Sequence, residues 1–245
     1  MKIIIVIPAR YKSSRFPGKP LITLINKPMI QWVAELSAKV VGVKNVYIAT
    51  ENAKIFNTVT NIGYKAIMTS KLCLTGTDRL AEIAKKIKAD IYINVQGDEP
   101  LIEPKDIQKI IEKKKKFPNE VINGYTIIEK NENPKNINIP KVIFTQDKRL
   151  IYISRKVLPG YKDEKSRPKV LFKQVCIYAF NRNELIAYSD YGKKSKIEQS
   201  EDIEILRFFE LNKTIRLVQT SSGSLAVDKP EDVKKVEKVL KSMHR

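Results

Sequence analysis

The sequence predicts an α/β protein with a mostly parallel central sheet. Short runs of branched apolar residues alternate with amphipathic helical patterns along the first half of the chain. These runs are continuously apolar, which is typical of strands covered on both faces. With 245 residues, 42% of them hydrophobic, the chain has enough apolar side chains for one large domain. We therefore predict a single domain over residues 1–245.

The first half of the chain repeats a strand and helix order. Residues 2–7 form the first predicted strand, and Pro8 ends it because proline has no N–H to donate to a ladder. Thr77 is the expected N-cap of a helix that begins at Asp78. The same patterns predict strands at 45–50, 64–68 and 90–95 and helices at 28–40, 52–61, 78–88 and 105–116. This order is typical of βαβ units.

The second half is richer in β runs. Short apolar runs lie at 121–128, 141–145, 150–154 and 171–180, separated by loops rich in Asn, Pro or charged residues. They predict a β-rich insertion at about residues 121–180. A helix at 197–212, a strand at 214–220 and a closing helix at 232–243 complete the predicted elements.

The loop after the first strand is a candidate phosphate site. Ligands of open α/β sheets bind beyond the carboxyl ends of the strands. The loop holds four cations and two serines between Pro8 and Pro20, namely Arg10, Lys12, Ser13, Ser14, Arg15 and Lys19. It is neither a Walker A loop nor a G-x-G-x-x-G motif, so side-chain cations are expected to hold the phosphates. The alternative is a solvated basic loop.

A second group of candidate residues follows the strand predicted at 90–95. Asp98 lies where this strand stops, at the edge that faces the cationic loop. A carboxylate there suits Mg²⁺ that bridges a triphosphate and an incoming oxygen, although a plain polar turn is the alternative. Gly76 and Arg79 would add close backbone approach and a guanidinium at the same edge. Asp228, taken alone, is more typical of a helix start.

Composition excludes several kinds of chemistry. The single histidine, His244, is the penultimate residue, which excludes a Ser-His-Asp triad, a Cys-His pair and an HExxH zinc site. Cys73 and Cys176 are too few for a disulfide framework, and we interpret both as buried thiols. The sequence has no apolar stretch of about 18 residues and no signal-peptide pattern. A cytoplasmic protein with no membrane partner is therefore expected.

The net charge of the chain suggests a different class of function. The net charge is +19, from 46 Lys and Arg against 27 Asp and Glu, which would suit a non-catalytic protein that binds nucleic acid or another polyanion. The lysines are spread out, with runs at 113–116 and 193–196, and aromatic residues do not interleave with them. We expect the first run to be a solvated helix face. A nucleoside triphosphate is the favoured polyanion, and no nucleic-acid partner is expected.

Several motifs resemble one family over nearly the whole chain. They are IPARYKSSRFPGKPL, NKPMI, ATE, TGTDRLAE, INVQGDEPLI, YISR, CIYAF, an acidic helix and VDKPEDV. Together they resemble the 3-deoxy-manno-octulosonate cytidylyltransferases, or CMP-Kdo synthetases. The resemblance implies a Rossmann-like fold of the nucleotide-diphospho-sugar transferase type and a homodimer formed through the β-rich insertion. It also implies a Mg²⁺-dependent transfer of CMP from CTP to the anomeric hydroxyl of Kdo, with release of pyrophosphate.

The resemblance implies roles for individual residues. Those expected to bind the nucleotide and its phosphates are Arg10, Ser13, Arg15, Lys19, Thr77 and Arg79. The expected metal ligands are Asp98 and Asp228, which together with Lys19 form the expected catalytic group. Those expected to bind the sugar are Gln96, Arg155, Gln174, Tyr178, Glu201 and Glu204.

Departures from the family pattern lie on the sugar side. Lys173-Gln174 stands where many relatives have Arg-His, and the Glu-x-x-Glu-x-x-Glu of the acidic helix is read here as Glu201, Glu204 and Arg207. A site that hydrogen-bonds its substrate discriminates strongly between analogues. The expected acceptor is therefore Kdo or a close analogue such as the 8-amino derivative, with a sialate-type acid as a further alternative.

Overall fold

A computed structural model describes residues 1–12, 16–221, 225–227 and 229–243 of the chain. Its strands are β1 (Ile3–Pro8), β2 (Thr23–Leu24), β3 (Lys27–Pro28), β4 (Val46–Thr50), β5 (Lys65–Met68), β6 (Ile91–Val95), β7 (Val121–Ile127), β8 (Lys141–Phe144), β9 (Leu150–Ser154), β10 (Phe172–Phe180) and β11 (Ile215–Gln219). Its helices are α1 (Met29–Val41), α2 (Ala53–Asn61), α3 (Gly76–Lys86), α4 (Pro104–Lys116), α5 (Arg182–Asp190), α6 (Lys196–Glu201), α7 (Arg207–Glu210) and α8 (Pro230–Met243).

The central sheet is mostly parallel, which confirms the predicted α/β class. Within the described residues its main path runs β11-β7-β10-β6-β1-β4-β5. The pairs β11/β7, β6/β1, β1/β4 and β4/β5 are parallel, whereas β10 is antiparallel to both of its neighbours on this path. The carboxyl ends of β1, β4 and β6 therefore meet at one edge of the sheet.

The segment predicted as a β-rich insertion is divided between the central sheet and its border. Its first and last strands, β7 and β10, lie inside the main path of the sheet. The strands β8 and β9 pair with each other off this path, and β8 also pairs with β10. Strand β7 is buried along nearly its whole length, as is typical of a central strand, although Asn123, Gly124 and Thr126 interrupt its apolar pattern. A dimerisation role for the segment stays a prediction.

Helices cover both faces of the sheet. On β1, Ile5 and Ile7 pack into a core with α1, α2 and α4, whereas Ile4 and Val6 pack into a second core with α3 and α5. All four side chains are fully buried. Burial on both faces explains why the sequence of this strand is continuously apolar. A third, smaller core joins α8 to α1 through residues such as Trp32 and Val236.

Helix α3 begins at Gly76, two residues earlier than the predicted start at Asp78. Thr75, which has an extended backbone, is the N-cap, and its hydroxyl accepts a hydrogen bond from the Asp78 amide. The Asp78 carboxylate accepts one from the Thr75 amide in return, at 2.7 Å. The assignment of Thr77 as the cap is therefore wrong. The physical reason is that Gly76 adopts the helical conformation, so the first turn already contains Thr77.

The helix predicted at 197–212 is broken. Helix α6 ends at Glu201, and Asp202 follows with a positive φ of 49°, which ends a run of regular helix. A 3-10 turn at Glu204–Leu206 and the short α7 complete the segment. Helix α5 was not predicted, although the capping pair Asn181 and Glu184 is a sequence signal for it.

One lysine of the run at 113–116 is buried instead of solvated. Lys114 is 1% exposed, and its ammonium donates to the Glu184 carboxylate at 2.7 Å. Burial lowers the pKa of Lys114 and raises the pKa of Glu184, because each charge loses its hydration. The pair joins α4 to α5. Among the helices of the described residues, none has the length and apolar character needed to cross a membrane.

Candidate active site

A cleft of about 490 Å³ opens at the carboxyl ends of β1 and β6, next to the N-terminus of α3. The expected site residues that line it are Arg10, Lys19, Arg79, Gln96, Asp98, Arg155, Gln174, Tyr178 and Glu204. Ser13, Arg15 and Asp228 lie outside the described residues. Thr77 and Glu201 do not line the cleft but hydrogen-bond residues that do.

Lys19 and Asp98 form an ion pair inside the cleft. Lys19 Nζ lies 2.6 Å from Asp98 Oδ2, and the two side chains are 14% and 28% exposed. The pair joins the end of the cationic loop to the residues that follow β6. Gly97 makes this approach possible, because a Cβ there would lie 3.1 Å from the carbonyl oxygen of Pro8 at the end of β1.

The C-terminal segment reaches the same place. The amide of Val227 donates to the main-chain oxygen of Asp98 at 3.0 Å. Val227 is fully buried and packs with α8 and α1 in the third core. This hydrogen bond anchors the segment just before α8 beside the end of β6.

Arg79 is held by protein groups. Its guanidinium lies 2.7 Å from Glu51 Oε2 and donates to the Thr69 hydroxyl at 2.6 Å. The other oxygen of Glu51 accepts the amide of Tyr11 in the cationic loop, at 3.1 Å. Arg79 is 5% exposed. It therefore positions the cationic loop through Glu51, and its contact with a nucleotide stays a prediction.

Glu204 is a partly buried carboxylate at the N-terminus of α3. It accepts the amide of Thr77 at 2.9 Å through one oxygen and the side-chain amide of Gln96 at 3.2 Å through the other. Burial raises the pKa of Glu204, and the hydrogen bond from Thr77 opposes that shift. These two contacts fix the position of Gln96 at the floor of the cleft.

Arg155 and Glu201 hold the wall formed by β9 and α6. The Arg155 guanidinium donates to three main-chain carbonyls, those of Glu201, Ile137 and Asp202. The Glu201 carboxylate accepts the Ser154 hydroxyl at 2.7 Å and the Arg155 amide at 2.9 Å. Both residues therefore have a structural task in this wall, and three of the five N–H donors of Arg155 are already in use.

Gln174 and Tyr178 lie together on β10. The Gln174 amide donates to Asn123 Oδ1 at 3.1 Å and to the Tyr178 hydroxyl at 3.3 Å. Both of its N–H donors are thereby used, which leaves its carbonyl oxygen as the group that faces further partners. Burial raises the pKa of Tyr178 well above its ordinary value, so the phenol stays protonated.

The assignment of Arg207 to the third Glu position of the family's acidic helix is wrong. Arg207 is fully buried, its guanidinium binds Glu198 at 2.7 Å and Asp78 at 2.9 Å, and it lies 3.8 Å from the centre of the Tyr188 ring. The Glu-x-x-Glu-x-x-Glu pattern begins three residues earlier, and its members are Glu198, Glu201 and Glu204. The spacing alone was enough to find Glu198.

The two cysteines also differ from expectation. Cys73 and Cys176 line the cleft and are only partly buried. Cys73 donates to Glu82 at 3.1 Å. Burial raises the pKa of each thiol to about 12, so neither is a thiolate nucleophile near neutral pH.

The geometry matches a common way of binding nucleotides. Cations converge beyond the carboxyl ends of parallel strands, where anionic groups of nucleotides bind in open α/β sheets. We therefore assign the chain to the class of nucleotide-binding α/β proteins.

Comparisons with known proteins narrow this class. The family model described as cytidylyltransferase matches residues 4–215. The 3-deoxy-manno-octulosonate cytidylyltransferase of Escherichia coli is 38% identical over 98% of this chain and 96% of its own length. The 8-amino-3,8-dideoxy-manno-octulosonate cytidylyltransferase of Shewanella sp. strain W3-18-1 is 37% identical over 98% of this chain and 99% of its own length.

A solved structure agrees. A CMP:2-keto-3-deoxy-manno-octonic acid synthetase complexed with CTP superimposes with a TM-score of 0.91 and 37% sequence identity, covering 99% of this chain and 100% of that one. The chain therefore belongs to the cytidylyltransferase family, which makes it a nucleotidyltransferase and confirms the resemblance found in the sequence.

Proposed function

We propose that this protein transfers CMP from CTP to the anomeric hydroxyl of a 3-deoxy-ulosonic acid. The observation that carries the proposal is the Lys19–Asp98 pair, which joins the cationic loop and the end of β6 inside one cleft. The substrates named for the relatives, and the CTP in the 37% identical structure, support it. The sugar hydroxyl oxygen attacks the α-phosphorus, the bond to the pyrophosphate oxygen breaks, pyrophosphate leaves, and the hydroxyl proton passes to solvent water.

The cationic loop is the proposed binding site of the triphosphate. Arg10 is exposed at the mouth of the cleft, and Lys19 lies at its inner end. Ser13 and Arg15 belong to the same loop in the sequence. Cationic side chains beside the pyrophosphate lower the activation barrier of the transfer, because they stabilise the negative charge that develops on this leaving group.

Mg²⁺ is the proposed cofactor, held by Asp98 and Asp228. The Asp98 carboxylate is partly exposed to the cleft, and carboxylate oxygens are the ligands that Mg²⁺ prefers. Val227, the residue before Asp228 in the sequence, hydrogen-bonds the main chain of Asp98. When bound, Mg²⁺ would supply positive charge that stabilises the reacting phosphate groups. The described residues contain no group of three potential ligands, so substrate and water would complete the coordination.

The opposite wall is the proposed sugar site. Gln96, Gln174, Tyr178 and Glu204 present polar groups to the cleft, whereas Arg155 and Glu201 hold the wall in place. Within the part of the chain that the structure describes, the side-chain carbonyl oxygen of Gln174 accepts no hydrogen bond, which suits a sugar substituent that donates one. Hydroxyl and ammonium groups both donate, and this observation keeps an 8-amino sugar acid as the second candidate acceptor.

Pyrophosphate release from CTP and Mg²⁺ tests the proposed function. The acceptors are Kdo, its 8-amino-8-deoxy analogue and N-acetylneuraminate, and UTP, ATP and GTP replace CTP in parallel reactions. We expect turnover with CTP and one of the two octulosonates. Turnover with none of the acceptors would falsify the proposal, and turnover with N-acetylneuraminate alone would assign the protein to the sialate type.

We also propose a homodimer in the cytoplasm. Four large apolar side chains on or near the β-rich segment are at least 39% exposed, namely Ile127, Ile137, Ile151 and Val170. Exposed apolar side chains on one segment of the chain are compatible with an interface formed by that segment. Light scattering on the purified protein measures the mass, and we expect twice the chain mass of 28.1 kDa. A mass of one chain would contradict the dimer.

A further inference from the structure

We propose that Lys194 binds the carboxylate of the sugar acid, an assignment that rests on the proposed function. Lys194 lies in the loop between α5 and α6 and lines the cleft. It belongs to the lysine run at 193–196, which the sequence placed among dispersed surface charge. Its neighbour Lys193 is exposed, whereas Lys194 is partly buried and faces the cleft.

The first argument is the state of the other cleft cations. Among the described residues the cleft is lined by Arg10, Lys19, Arg79, Arg155 and Lys194. Arg79 is buried against Glu51, and Lys19 binds Asp98, the proposed metal ligand. Arg10 belongs to the loop proposed for the triphosphate. These three cations are therefore committed to the nucleotide side or to the scaffold.

Arg155 is committed as well. Its three main-chain acceptors hold the guanidinium in the wall between β9 and α6. Moving it toward a ligand would break three hydrogen bonds at once, of which the one to Glu201 is partly buried. Lys194 is the cleft cation on this wall that has no such commitment among the described residues.

The pair made by Lys194 is easily exchanged. Lys194 Nζ lies 2.8 Å from Asp202 Oδ1, with side-chain exposures of 30% and 73%. Exposed pairs of this kind contribute little to stability. The ammonium has three N–H donors, so it can accept a second carboxylate as a partner without losing Asp202.

Arg155 and Lys194 both contact Asp202 in the wall formed by β9 and α6. Arg155 Nη2 donates to the main-chain oxygen of Asp202 at 3.0 Å, and Lys194 binds the side chain of the same residue. Asp202 has a positive φ of 49°, which turns the chain at the end of α6. The ammonium and the residues proposed to bind the sugar therefore line the same cleft. A 3-deoxy-ulosonic acid brings one carboxylate, and Lys194 supplies its counter-charge.

A purely structural role is the competing explanation. Lys194 precedes the N-cap of α6 and Asp202 follows its last residue, so the ion pair also closes this short helix. The two roles differ in what Asp202 does. A structural clamp needs both residues equally, whereas a carboxylate-binding ammonium needs Lys194 and not Asp202.

The test compares four variants with the wild-type protein, the fourth being the conservative change Lys194→Arg. Lys194→Met removes the charge, Lys193→Met is the matched control at the exposed neighbour, and Asp202→Asn removes the partner. The KM values for 3-deoxy-manno-octulosonate and for CTP are measured separately, together with the thermal unfolding midpoint. We expect Lys194→Met to raise the KM of the sugar acid by about tenfold or more, the scale of a lost charge-assisted hydrogen bond. Its KM for CTP stays within about twofold, below that scale.

Lys193→Met and Asp202→Asn should leave the sugar KM unchanged, and Lys194→Arg should restore most of the loss. An unchanged sugar KM in Lys194→Met, or an equal loss in Asp202→Asn, overturns the assignment. A wild-type protein that releases no pyrophosphate contradicts the proposed function instead. Equilibrium binding of the sugar acid to wild type and Lys194→Met then decides the role of Lys194, and absence of binding to both also overturns it.

Discussion

Two ion pairs beside the cleft have similar chemistry and opposite surroundings. Lys19–Asp98 is partly exposed and joins two loops, whereas Arg207–Glu198 is fully buried and has further partners in Asp78 and Tyr188. A partly exposed pair can exchange its partner for a phosphate or a metal ion at small cost, and a buried pair cannot. Burial therefore separates the charges that act on substrate from those that hold the scaffold.

The largest effect is expected at the exposed pair. Asp98→Asn keeps the shape of the side chain but removes the charge, so we expect a loss of activity of about a hundredfold or more, as for other removed electrostatic contacts. Pyrophosphate release measures it, with unchanged thermal unfolding. Glu112→Gln on the exposed face of α4 is the charge-matched control. Full activity in Asp98→Asn would remove Asp98 from the proposed metal site.

The second effect is expected at the buried pair, and in stability. Arg207→Met leaves Glu198 and Asp78 without their cation, which costs about 3–5 kcal/mol of unfolding free energy. Denaturant unfolding measures this loss. The double change Arg207→Met with Glu198→Met should lose less than the single one, because no charge of that pair remains buried alone. A single variant as stable as the wild type would show that the buried pair is not part of the scaffold.

A smaller loss is expected at the cap of α3, which also supports Asp78. Thr75→Ala removes the hydroxyl that accepts the Asp78 amide, so we expect about 1 kcal/mol of destabilisation, typical of a lost N-cap. Thr60→Ala, at an exposed threonine of α2, is the control and should not destabilise. Equal stability of Thr75→Ala and wild type would argue against the cap.

The smallest effect is expected in the pH dependence set by Glu204. Because its pKa is raised in the folded protein above the ordinary 4.5, the unfolded chain loses this proton first as pH rises. Glu204 therefore lowers stability progressively as pH increases above 4.5. Glu204→Gln should remove this contribution, so the difference in unfolding free energy from wild type should grow with pH in that window. A difference independent of pH would contradict the raised pKa.

The sequence predicts best the elements whose residue pattern has a single physical cause. Strands β1 and β6 are buried on both faces, and their short, largely apolar runs are typical of such strands. The cationic loop and Asp98 were found because topology brings the ends of these strands together. In these cases local pattern and tertiary position agree.

The errors arose where tertiary contacts decide. Thr75 and Thr77 are equally good caps in sequence, and the position of Gly76 in the helix selects the first. The break at Asp202 occurs where this residue contacts Lys194, just before α6, and Arg155, just after β9, and the contact with Arg155 is not visible in the local sequence pattern. Lys194 carried no motif, so only the cleft distinguishes it from the neighbouring lysines.

The hydrogen bond from Val227 to Asp98 has a consequence for synthesis on the ribosome. A residue late in the chain completes the surroundings of one that was translated 129 positions earlier. Contacts of such long sequence separation form late, since much of the chain must be ordered before they close. The nascent polypeptide therefore stays without a finished catalytic centre until its last helix has emerged, and incomplete translation products should consume no CTP.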